Sequence, residues 1–194
     1  MLLAIDVGNT NITLGVYDDN TQVAHFRLAT VYERSRDEYG VLLLNFLACK
    51  KIAPEDITAV IIASVVPQVM YSLERAVSGY LGQTPIVITN QHDFGLRLLY
   101  DNPREIGVDR LVNAYGAHHI YGGPLVLVDF GTATTFCAVT ESGDYLGGVI
   151  CPGIKISSEA LFQRTAKLPR VEITSVDRVI GKTTVSAIQS GLLF

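Results

Sequence analysis

The sequence predicts an α/β protein with a mixed sheet, arranged as two strand-led halves, and three observations predict it. Apolar strand-like runs come first as a cluster and then alternate with helix-like segments. The stretch beginning at Pro124 restarts the pattern of the N-terminus. Of 194 residues, 48% are hydrophobic and 18% charged, which is ample for a packed core and excludes a disordered chain.

The first 28 residues read as strands joined by tight turns. LLAIDVG stops at Gly8, NITLGVYDD follows, and TQVAHFRLA alternates after the Asp-Asp-Asn turn at 18–20. Residues 35–50 read as a helix with Ser35 as its N-cap. ITAVIIASVV is a buried strand by length and branching. Pro67 opens a helix that closes at Gly82, TPIVITN is a short strand, and VDRLVNAYGAHHIYGG is a helix stopped by Gly122 and Gly123. From Pro124, LVLVDFGTATTFCAVTESGDYLGGVI reads strand, turn, strand, turn, strand.

Asp129 lies 123 residues after Asp6, and that offset sets LAIDVGNTNITLGVYD over VLVDFGTATTFCAVTE, with Asp, Gly and a later Val (Val16, Val139) matching. The boundary between the halves falls at residues 121–124. Two equal halves would need about 246 residues, so about 50 more are expected beyond Phe194 to finish the second.

Composition narrows function. Net charge is −4, from 15 Lys and Arg against 19 Asp and Glu, and the basic residues form no stripe. That is the wrong sign for a chain whose main work is gripping nucleic acid. No apolar run reaches the ~18–20 residues of a membrane span, and the N-terminus lacks the basic start of a signal peptide. Cys49, Cys137 and Cys151 are far apart and fit neither a disulfide framework nor a zinc site, which suits a reducing cytoplasmic setting.

In both halves an acidic residue ends a buried strand and a glycine-plus-hydroxyl turn follows: Asp6-Val7-Gly8-Asn9-Thr10 and Asp129-Phe130-Gly131-Thr132-Ala133-Thr134-Thr135. Glycine lets backbone amides approach a guest, and successive amides with Thr or Asn side chains cradle an anion. A neighbouring carboxylate can hold the cation that phosphate brings. Two such turns facing each other would clamp a polyphosphate; the plainer alternative is a pair of side-chain-stabilised hairpin corners. Gly181-Lys182-Thr183 imitates a P-loop end, but Val176 stands where its first glycine belongs. His118 and His119 are adjacent on a helix and cannot chelate one metal from one face. Gly107-Val108-Asp109-Arg110 offers a carboxylate base for an alcohol and a guanidinium fork for an anion. Spacing alone favours a simpler reading, Asp109 as an N-cap beside an exposed Arg110.

DVGNTNITLGVY at 6–17, GVDR at 107–110, DFGTATTF at 129–136, GGVICPGI at 147–154 and LPRV at 168–171, in this order, resemble type III pantothenate kinase. The resemblance places the chain in the acetate and sugar kinase, Hsp70 and actin superfamily. It implies two ribonuclease-H-like domains, 1–122 and an incomplete 123–194, with ATP between them. It implies that Asp6, Val7, Gly8, Asn9, Thr10, Asn11, Ile12 and Thr13 form the first phosphate loop, with Asp6 near Mg2+. Asp129 would bind K+ or NH4+, and Thr132 would touch ATP. Asp109 would accept the hydroxyl proton of pantothenate in a pocket of Gly107, Val108, Asp109 and Arg110 with Tyr100 beside it, and Thr184 would reach pantothenate across a homodimer interface. The implied activity is the first step of coenzyme A biosynthesis. Two alternatives remain open: a non-catalytic nucleotide-binding regulator, and a sugar or acetate kinase of the same superfamily.

Overall fold

The computed structural model describes residues 1–194. A five-stranded mixed sheet contains β1 (Leu2–Val7), β2 (Asn11–Asp18), β3 (Thr21–Ala29), β4 (Ala59–Ser64) and β5 (Ile86–Ile88), in the order β3-β2-β1-β4-β5. The first three strands form an antiparallel meander, whereas β4 and β5 join β1 in parallel. Alternation sends Leu3, Ile5 and Val7 of β1, with Ile12, Leu14 and Val16 of β2, into the main core.

Two helices complete that core. α1 (Arg36–Cys49) contributes Tyr39, Leu43 and Leu47, and α2 (Pro67–Leu81) contributes Val69, Leu73 and Val77, both at helical spacing. Ser35 caps α1 as expected: its hydroxyl accepts the Glu38 amide at 3.3 Å, and the Glu38 carboxylate accepts the Ser35 amide at 2.8 Å. Pro67 opens α2, and Gly82 closes it at φ 65°, a conformation that costs glycine little.

A second sheet repeats the opening meander. β6 (Leu125–Phe130), β7 (Ala133–Val139) and β8 (Tyr145–Pro152) pair antiparallel in sequential order, and a Gly-hydroxyl turn joins the first two strands in each sheet. Between the sheets lies α3 (Val108–Tyr121), which packs against β4 on one side and β6 and β7 on the other. Leu111 and Ala114 of α3 meet Cys137, Val139 and Tyr145 in a smaller core. The opposite face of this sheet is bare and apolar, with Val126 68% and Phe130 73% exposed.

The chain ends in α4 (Ile154–Arg164) and α5 (Thr184–Leu193), which pack together. Thr183 caps α5 by accepting the Ser186 amide at 3.1 Å, so Gly181-Lys182-Thr183 is a helix start, in keeping with its rejection as a P-loop. One expectation is overturned. The N-cap of α3 is Gly107, not Asp109, and Arg110 is buried rather than exposed. The cause is the approach of the second sheet, which covers the helix face that carries Arg110.

Candidate active site

The two Gly-hydroxyl turns meet. Thr10 and Thr132 hydroxyls lie 2.6 Å apart across 122 residues of sequence, closing one end of a cleft between the sheets. Local bonds shape each turn. Gly8 donates to the Asn11 carbonyl at 2.9 Å and Thr30 ties the Gly8 carbonyl with its hydroxyl at 2.6 Å; Gly131 donates to the Ala133 carbonyl at 3.0 Å. The amides of Asn9, Thr10 and Thr132 take part in none of the backbone hydrogen bonds made outside helices and strands, which leaves them available to a guest. A Cβ at Gly8 would stand 3.2 Å from the Asn11 carbonyl oxygen, so the tight corner favours glycine. Of the stretch 6–13, Val7 and Ile12 are buried in the core and can offer only main chain; Asn9, Thr10 and Asn11 are exposed, and Thr13 is half-buried.

Three carboxylates share the cleft. Asp6 alternates with buried Ile5 and Val7 and so points to the other side of the sheet. Its side chain is exposed at the cleft, where nearby protein partly desolvates it and the charges of Asp109 and Asp129 add repulsion, which together raise its pKa from the ordinary carboxylate value. Asp109 sits in the first turn of α3, half-buried, with Oδ1 accepting the Arg110 amide at 2.8 Å. A Cβ on Gly107 would press on that oxygen and force the Asp109 carboxylate to turn. Asp129, one residue before the end of β6, is exposed.

Arg110 is the unusual group. Only 8% exposed, it donates from Nε to Cys137 Sγ at 3.2 Å, while Nη2 is buried with no partner. No carboxylate pairs with it. Burial works to lower its pKa, and the bond to Cys137, aided by Tyr145 and the Tyr100 hydroxyl, outweighs this and raises it. Tyr100 is placed by the preceding segment, which docks on the start of β8 through the Leu99 amide to Tyr145 carbonyl bond of 2.9 Å. A buried guanidinium nitrogen without an acceptor is an invitation to an anion.

The donor chemistry fits ATP with hard cations: free amides, hydroxyls and carboxylates are phosphate, Mg2+ and K+ ligands. No three His, Cys, Asp or Glu side chains converge as a ready-made metal cage, so a cation here would bring phosphate oxygens with it. A pocket of about 280 Å³ opens beside the second turn, lined by Phe130, Gly131, Thr134, Ile154, Lys155 and Ile173. Another of about 380 Å³ lies by Gly107 and Val108, at the ends of β4 and β5. Gly107 and Val108 line that pocket, Tyr100 acts on Arg110, and the charges of Asp109 and Asp129 reach Asp6. Thr184 does not join them: it is exposed at the start of α5 with no hydrogen bond to the cleft. Lys155, Cys137 and Tyr145 are functional neighbours that the sequence reading misses; a lysine two residues after the Pro-Gly that opens a helix is the readable signal for the first.

A mixed-sheet α/β chain whose two Gly-hydroxyl turns meet is the class that the fold defines. The family model of type III pantothenate kinase matches residues 2–194, and the chain belongs to that kinase family. Among solved structures, a conserved Campylobacter jejuni protein named for the Baf family of transcriptional activators superposes with TM-score 0.55 at 20% identity, covering 97% of this chain and 72% of its own. A Sinorhizobium meliloti protein named as a 2-dehydro-3-deoxygalactonokinase gives TM-score 0.53 at 12% identity, covering 85% of this chain and 57% of its own. At these identities the likeness concerns the fold. No helix is long and apolar enough to cross a membrane.

Proposed function

We propose that this chain carries the phosphoryl-transfer site of a pantothenate kinase, converting ATP and pantothenate to ADP and 4'-phosphopantothenate. The observation that carries the reading is the meeting of the two turns at Thr10 and Thr132, beside three acidic groups and a buried guanidinium that lacks an anion. The two meanders act as duplicated ribonuclease-H-like domains, 1–122 and 123–194, and the protein works in the cytoplasm as a homodimer in which Thr184 serves the partner's site.

The amides and hydroxyls at Asn9, Thr10 and Thr132 orient the triphosphate. Arg110, with Tyr100, takes the pantothenate carboxylate and so fixes the primary hydroxyl near Asp109. That hydroxyl oxygen bonds to the γ-phosphorus, its proton passes to the Asp109 carboxylate, and ADP leaves with the bridging oxygen. Mg2+ near Asp6 and K+ or NH4+ near Asp129 would neutralise phosphate charge. Desolvation first and the charges of Asp109 and Asp129 second disfavour the Asp6 carboxylate, an arrangement that suits a site completed by cations.

ADP release from ATP and Mg2+ that requires both pantothenate and K+ supports this reading, and its absence in a folded, dimeric preparation contradicts it. The relative named as a transcriptional activator motivates a second reading, a nucleotide-binding regulator. That reading predicts tight ATP binding with no turnover.

A further inference from the structure

We propose that Cys137 and Tyr145 are positioning residues for Arg110, a neutral buried pedestal that aims the guanidinium at the carboxylate of the acceptor while leaving its charge free. The proposal rests on the carboxylate-binding role of Arg110 given above. Cys137 on β7 and Tyr145 at the start of β8 both face α3, where they belong to the same small core. The Cys137 sulfur accepts twice, from Arg110 Nε at 3.2 Å and from the Tyr145 hydroxyl at 3.3 Å. The Tyr145 ring lies 5.9 Å from Arg110 Cζ and is wholly buried. These contacts hold the Nε edge and set the guanidinium over the Tyr145 ring. Glycine at 148 leaves room beside Nη2, since a Cβ there would stand 2.7 Å from it.

The choice of sulfur matters. A carboxylate at position 137 would also accept from Nε, but it would neutralise the guanidinium and compete with the incoming anion. A thiol accepts weakly and carries no charge when protonated, so it orients the fork without occupying it. The orphaned Nη2 is then part of the design, because its acceptor arrives with the substrate. Preorganisation of this kind appears as affinity for one functional group rather than as rate.

The test measures calorimetric binding of pantothenate and of panthenol, its neutral alcohol analogue, to the parent chain and to Cys137→Ala, Cys137→Ser, Tyr145→Phe and Arg110→Ala, with turnover measured alongside. Cys137→Ala is expected to weaken pantothenate about 5–20-fold, and Tyr145→Phe about 3–10-fold, with kcat within about twofold and panthenol binding unchanged. Cys137→Ser, which restores an acceptor, should return affinity to within about threefold of the parent. If Arg110→Ala weakens pantothenate but Cys137→Ala and Tyr145→Phe do not, the pedestal is overturned and the role of Arg110 survives. Equal loss of both ligands in the Cys137 and Tyr145 variants makes these residues merely structural and also overturns it. If the parent fails to bind pantothenate, or Arg110→Ala binds it normally, the carboxylate role falls and the pedestal with it.

Discussion

Asp109→Asn isolates proton transfer from everything else the cleft does. The cap of α3 is Gly107, so the helix start does not depend on the Asp109 side chain. Asn keeps an Oδ1 that can go on accepting the Arg110 amide at 2.8 Å, so fold and substrate pocket should persist. What disappears is the base, worth about 10²–10⁴ in rate, or about 2.7–5.4 kcal/mol of barrier at about 1.36 kcal/mol per decade. Steady-state ADP release at saturating ATP and pantothenate should therefore show kcat reduced by about 10²–10⁴, with both KM values within about threefold. A second signature follows from charge. Asp109 is the larger of the two repulsive neighbours of Asp6, so its neutralisation should lower the Asp6 pKa towards the ordinary range, visible as a shifted carboxyl resonance on NMR titration. A variant with kcat within about fivefold of the parent would refute the base assignment, since a general base typically contributes about 10²–10⁴.

Asp6 has a pKa raised in the folded state, so the folded chain holds that proton more tightly than the unfolded chain. Its contribution to stability is full below the unfolded value near about 4 and is lost as pH rises through the folded value. Asp6→Asn should accordingly be more stable than the parent in urea at pH 7, no different at pH 3, and inactive; a less stable variant at pH 7 would contradict the sign. Gly148→Ala would drive its methyl group into the Phe136 carbonyl and Arg110, costing about 1–3 kcal/mol and weakening pantothenate more than ATP, which denaturation and calorimetry would separate. Leu73→Ala, at a position 1% exposed in the main core, should cost about 2–5 kcal/mol in urea unfolding, and a loss below about 1 kcal/mol would mean that α2 is not packed as described.

Local signals made most of the first half legible. Ser35 with Glu38 three residues on, Pro67 at a helix start and Gly82 at a helix end each act within one turn of chain, so sequence alone exposes them. The paired turns were legible as chemistry, but their meeting at Thr10 and Thr132 was only conditional, because it depends on how two sheets pack 122 residues apart. The same non-local cause hid the surroundings of Arg110. Its neighbours Cys137 and Tyr145 come from another sheet, and no spacing along the chain brings them to position 110. Burial without an anionic partner, the property that gives Arg110 its proposed role, is a fact of tertiary packing. The expectation of an exposed Arg beside an Asp cap was a reasonable average over helices and failed here because α3 is covered on two sides.

The central claim is that phosphate moves from ATP to the hydroxyl of pantothenate in this cleft. The most direct measurement follows the label of γ-³²P-ATP into separated products, with Mg2+ and K+ present and pantothenate added or withheld. The account predicts labelled phosphopantothenate that forms only with pantothenate and is lost in Asp109→Asn. Label found only in ATP and inorganic phosphate, with the protein folded and ATP bound, would contradict it and favour the regulator.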